Sequence, residues 1–164
     1  MAEGALALDA VRESKITPAL ENVVEANTLL SGIGFESGGL AIAHAVANNL
    51  TMIPRVHDKY LHGEMVALGT MIQLVMEDQE EADKVARFFA QVGLPMCLSQ
   101  VSMSPDDPEI DALLDQVLRN PSVRNMPFEV TREGLTKAFT DMDQLGNAIV
   151  SELGDSPYQA LHQS

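Results

Sequence analysis

From Met65 to Met76 the chain carries no charged residue, and Met65, Val66, Leu68, Met71, Ile72, Leu74, Val75 and Met76 leave almost no polar face. A segment of this kind has to be enclosed by other elements, so a helix from about His62 to Glu77 is predicted at the centre of the core. Its neighbours share the helical period. Thr17-Pro18 reads as a hydroxyl N-cap followed by proline at the first helical position. Leu20, Val23, Val24, Asn27 and Leu30 then mark one face, with Gly32 and Gly34 predicted to end that helix. The next helix is predicted from near Ser37 through His44 to about Met52, stopped by Pro54, with residues 54–60 as a polar connection.

Glu80 to Val92 reads as an amphipathic helix, its Val85, Phe88, Phe89 and Val92 opposing Glu81, Asp83, Lys84 and Arg87, and Gly93-Leu94-Pro95 supplies a C-cap glycine and a stop. Residues 96–104 read as a short extended piece, Glu109–Arg119 as a helix, and Pro121–Pro127 as a loop. Thr131 caps a long final helix ending near Leu153, and residues 154–164 have the composition of a frayed tail. The fold class expected is all-α, a bundle of about six helices in one domain over residues 1–153.

Composition excludes several functions. The 46% apolar and 21% charged content belongs to a packed globular chain rather than a disordered one. Twenty-four acidic residues against ten basic ones give a net charge of −14, which repels phosphate backbones and anionic lipid surfaces. Nucleic-acid and membrane partners are therefore not expected. The acidic N-terminus does not read as a signal peptide, and the single cysteine, Cys97, makes no intrachain disulfide; a cytoplasmic protein with a buried structural thiol is expected. No Gly-x-Gly-x-x-Gly turn after a strand and no phosphate-binding loop occurs, so no nucleotide-binding half is evident.

Chemistry concentrates on two histidines eighteen residues apart. His44 sits among Ala41, Ile42, Ala43 and Ala45, and His62 precedes Gly63-Glu64 at a helix start. Neutral imidazole is the commonest metal ligand, and small flanking residues leave room for a shared cation. A lone histidine on an apolar helix is more often a satisfied core residue, and that alternative stays open. Glu64 reads as a partner of the helix dipole, or as a group orienting His62, rather than as a ligand. His57 is expected in solvent, and His162, in the tail, is expected to be uninvolved.

The run from Thr17 to Ala45, ending Phe35-Glu36-Ser37-Gly38-Gly39-Leu40-Ala41-Ile42-Ala43-His44-Ala45, resembles the C-terminal half of the glycerol dehydrogenases, within the metal-dependent, iron-containing-type alcohol dehydrogenases. His62-Gly63-Glu64-Met65-Val66-Ala67-Leu68-Gly69-Thr70, Val92-Gly93-Leu94-Pro95 and Asn125-Met126-Pro127 continue the likeness. The resemblance implies a helical metal-binding domain that works with an N-terminal NAD-binding domain, in an enzyme oxidising glycerol to dihydroxyacetone. It implies Zn²⁺ (or Fe²⁺) on His44 and His62, Phe35 at the substrate pocket, and homo-oligomers or an NAD-binding partner domain. Phe35 equally suits a core anchor.

The family's third ligand is an aspartate that nothing here matches, Asp9 having the wrong setting. A second histidine often found three residues after the first is here Ala47, followed by Asn48. A fragment or a stand-alone remnant, inactive alone, is the expectation. The alternative is a non-catalytic helical interaction module, for which the apolar 62–76 helix and nine methionines are suited.

Overall fold

The computed structural model describes residues 1–162, and every regular element among them is helical. The α-helices are α1 (Ala2–Arg12), α2 (Pro18–Glu25), α3 (Ser31–Gly38), α4 (Ile42–Thr51), α5 (Pro54–His57), α6 (His62–Glu77), α7 (Gln79–Val92), α8 (Pro108–Arg119), α9 (Arg132–Leu153) and α10 (Ser156–His162). The all-α expectation holds. Where one domain is expected, however, the chain divides into two compact units, Met1–Gly39 and a second beginning at Leu40.

In the first unit α1 pairs with the α2 end of a continuous helical rod from Pro18 to Gly38. Thr17 caps that rod, its Oγ1 accepting from the Leu20 N–H at 3.3 Å, and Asn22 Nδ2 donates to Glu3 Oε1 at 2.9 Å. Gly32 and Gly34 do not end the rod. A π-helical turn at Ala26–Leu30 absorbs the irregularity, and helix continues until Gly39 turns out at φ 72°. Gly39 is where left-handed backbone is required, and a residue without Cβ adopts it freely.

The second unit is built on α6. Leu68, Met71 and Ile72 are fully buried, each contributing roughly 1.5–3 kcal/mol by removal from water. α4 lies along α6 in the most extensive helix pairing among the described residues. Gly69 makes this possible: a Cβ there would stand 2.0 Å from the Ala43 carbonyl oxygen. α9 closes the core from another side, with Leu135, Phe139, Met142 and Ile149 buried and Thr131 Oγ1 accepting from the Gly134 N–H at 3.1 Å.

The short connections contain more helix than their composition suggests. Residues 54–60 hold the turn α5, the expected extended piece at 96–104 holds a 3-10 turn (Leu98–Val101), and the 121–127 loop holds another (Pro121–Asn125). Side chains close these turns: Gln100 Oε1 accepts from the Met96 N–H at 2.8 Å, and Asp143 Oδ1 from the Leu98 N–H at 2.8 Å. The frayed tail is replaced, over Ser156–His162, by α10, which packs over Gly93 and buries Tyr158. Among the described residues no single helix is long and apolar enough to cross a membrane.

Cys97 is fully buried, and burial pushes its thiol up from the ordinary value. The thiolate is the reactive form. Native protein is therefore expected to resist a disulfide reagent such as DTNB at pH 8, while denatured protein reacts with one equivalent; rapid labelling of the native state contradicts this.

Candidate metal centre

The folding of α4 against α6 brings together the two histidines. His44 lies in the first turn of α4, and His62 is the first residue of α6. Their ring centroids stand 6.4 Å apart, with 53° between the ring planes. The α4 start is held by three side chains, one from α6 and two from the Pro121–Asn125 turn. Gln73 Oε1 of α6 accepts from the Ala43 N–H at 3.1 Å, Asn125 Nδ2 donates to the Leu40 carbonyl at 2.7 Å, and Ser122 Oγ donates to the Ala41 carbonyl at 3.3 Å.

Thr51 orients the second imidazole. It lies seven residues after His44, two turns along α4 and hence on the same face. Its hydroxyl donates to the Ala47 carbonyl at 2.9 Å, so its oxygen is left to accept from His62 Nδ1, 3.3 Å away. That bond puts the proton on Nδ1 and the free lone pair on Nε2, the arrangement a metal-ligating histidine takes from an outer partner. Glu64, expected either to partner the helix dipole or to orient His62, does only the first. Glu64 faces inward: Oε2 accepts from the Leu61 N–H at 2.8 Å, and Oε1 is hydrogen-bonded to His162 Nε2 at 2.7 Å. The carboxylate caps the first turn of α6, as the dipole argument expects, but it grips His162 rather than His62.

His44 is half-buried, whereas His62 is exposed. Burial, and secondarily the nearby His62, lower the His44 pKa from its ordinary 6.5. The neutral ring, which is the ligating form, therefore persists to more acid pH. The same shift destabilises the fold in acid. Because native His44 binds its proton less readily than unfolded His44, its contribution to stability falls as pH drops through 6.5, then levels off below the native value. Urea unfolding at pH 7.5, 6.5 and 5 is expected to show this decline, with His44→Gln flattening it; an identical decline in the variant refutes the assignment.

His57 is exposed at the end of α5, and Ala47 is fully buried. Asp9 lies in the first unit beside Arg12 at 3.4 Å. Phe35, also in the first unit, is 54% exposed, so its side chain is no core anchor. Among the described residues no cluster of three or more His, Cys, Asp or Glu is placed to hold a metal ion.

No family model matches the chain. Over 154 residues it is 44% identical to glycerol dehydrogenase of Escherichia coli O6:H1, an alignment covering 92% of this chain and 42% of that protein. The crystal structure of glycerol dehydrogenase from Schizosaccharomyces pombe matches with a TM-score of 0.80 and 36% identity, over 93% of this chain and 40% of the other. The chain is homologous to the C-terminal part of glycerol dehydrogenases. A probable glycerol dehydrogenase from Sinorhizobium meliloti 1021 gives a TM-score of 0.78 at 34% identity, over 90% of this chain and 42% of that one. The chain thus spans about two fifths of the length of these glycerol dehydrogenases, and its helical fold is that of their C-terminal domain.

Thr51, Gln73 and His162 were not singled out by the sequence. For Thr51 a signal existed, since a hydroxyl two turns after a histidine shares its helix face. Gln73 and His162 act across 30 and 98 residues, and no local pattern announces them.

Proposed function

We propose that this chain supplies the helical, metal-binding part of an NAD-dependent polyol dehydrogenase acting on glycerol, with His44 and His62 as two ligands of Zn²⁺ or Fe²⁺. The observation that carries this reading is the pairing of two imidazoles 6.4 Å apart, one of them held by Thr51 with Nε2 free. The donor chemistry fits the group. Neutral imidazole nitrogen is a ligand these metals take, at metal–nitrogen bonds of about 2.0–2.1 Å. Two imidazoles leave the remaining coordination positions to water, to substrate or to a ligand from elsewhere.

When bound, the metal supplies Lewis-acid polarisation of the substrate hydroxyl. The residues of this chain bind and orient: His44 offers a neutral ring from a half-buried setting, His62 a ring of assigned tautomer, and Thr51 fixes that tautomer. Phe35 is assigned a substrate contact on the family resemblance. Hydride acceptance belongs to an NAD-binding domain, so this chain alone is expected to show no NAD-dependent glycerol oxidation.

Calorimetric titration with Zn²⁺ tests the site. One ion per chain is expected, with affinity falling at least about tenfold in His44→Ala and in His62→Ala, since even an outer partner of a metal ligand is worth ~10–100-fold. Unchanged binding in both variants overturns the reading.

A second reading, an interaction module without catalysis, is favoured by the first unit, where Leu29, Leu30, Ile33 and Phe35 are each at least half exposed. Light scattering separates the two. Assembly that persists when the histidines are replaced, together with no zinc binding by the unaltered chain, supports this module.

A further inference from the structure

The last helix reaches back to the turn that carries His62. Glu64 is the one charged side chain in the buried set of the described residues, and both of its oxygens are engaged. One accepts from the Leu61 N–H, closing the first turn of α6; Leu61 itself offers no side-chain oxygen to cap that helix. The other is hydrogen-bonded to His162 Nε2 at 2.7 Å. The His162 ring is in turn held in a socket. It stacks on Tyr158 at 4.1 Å and 25°, lies 6.1 Å from Tyr60, and its Nδ1 donates to the Tyr158 carbonyl at 2.8 Å. Tyr158 is buried with its hydroxyl on the Gln100 carbonyl, and the Tyr60 hydroxyl hydrogen-bonds Ser102 Oγ at 2.8 Å. A buried carboxylate without its second partner is expensive, so the pair holds α10 and the α6 start together.

We propose that His162 is a positioning residue for the candidate metal centre: through Glu64 it holds the first turn of α6, and with it His62, in the orientation that faces His44. The inference rests on the reading of His44 and His62 as ligands. His162 touches neither imidazole of the pair, and its effect passes through the capping carboxylate two residues after His62.

The test uses the full chain, with Zn²⁺ alone as titrant and amide hydrogen exchange at Leu61 as a metal-independent readout. His162→Ala is expected to weaken Zn²⁺ binding about threefold to tenfold, less than removal of a direct orienting partner. It is also expected to speed Leu61 exchange about tenfold. His162→Gln, whose Nε2 can donate to Glu64 in place of the ring nitrogen, restores both. Leu161→Ala, which trims the packing of the same helix over Gly93, leaves zinc affinity unchanged.

A fall in Tm in His162→Ala with unaltered zinc affinity and Leu61 exchange overturns the proposal, as does a glutamine variant no better than alanine. If His44→Ala and His62→Ala bind zinc like the unaltered chain, the metal reading itself has failed. The Leu61 exchange then still decides whether His162 holds the α6 start.

Discussion

Gly69→Ala is expected to destabilise the chain by about 3 kcal/mol or more, at the upper end of what overpacking a core usually costs. The added methyl would meet backbone: the Ala43 carbonyl oxygen at 2.0 Å, its carbon at 2.8 Å and Cα at 3.1 Å. No rotamer change relieves a clash with main chain, so α4 has to move away from α6. The expected fall in Tm is about 6–12 °C for a chain of this size. Gly34→Ala is the contrasting case. A Cβ there meets nothing within 4 Å, and the residue lies inside a helix, so the same substitution is expected to stabilise by roughly 0.5–1 kcal/mol. Thermal unfolding of both variants checks the pair; equal shifts would show that close approach at Gly69 is not what holds the two helices. Because Ala43 adjoins His44, the Gly69 variant is also expected to weaken zinc binding.

Gly146→Ala is expected to be nearly as damaging, with a different signature. A Cβ there would stand 2.0 Å from the Met96 carbonyl oxygen, 2.6 Å from its carbon and 2.9 Å from Cys97 Cβ. The segment carrying Cys97 is pinned against α9 by Asp143 and by its own Gln100, so it cannot slide along the helix. It has to lift. The expected loss is about 1–3 kcal/mol or more, and the thiol, buried in the unaltered chain, becomes accessible. DTNB labelling under native conditions measures this directly. A variant that unfolds at lower temperature yet keeps its thiol shielded would mean that α9 yields instead of the 96–97 segment.

Much of the second unit was legible because its signals are local. The charge-free run before Glu77 placed α6 at the centre, Thr131 capped α9 as its hydroxyl and position suggest, and Gly93 ends α7 at φ 82°. Glycine misled twice, in opposite directions. Gly32 and Gly34 read as a stop, yet the rod continues through them because a π-turn and the following α3 keep the backbone paired. Gly69, unremarkable inside a strong helical pattern, turned out to set the distance between α4 and α6. The tail failed for a different reason. Its Gly, Asp, Ser, Pro and Gln composition is that of an unstructured end, but Tyr158 and His162 anchor it through partners 58 and 98 residues away. The same range limit applies to the candidate site. The histidines stood out by residue type and setting, whereas the groups that aim them, Thr51 and Gln73, owe their roles to tertiary contact.

The 6.4 Å gap between the imidazoles is set by two rods in main-chain contact at Gly69, not by the connection joining them. Residues 58 and 59, exposed between α5 and α6, thus act as a spacer rather than a spring. Lengthening that spacer by a few glycines should leave the donor pair's bite intact as long as α10 still braces the α6 start, so the loop is free to vary while the two rods and the last helix travel together.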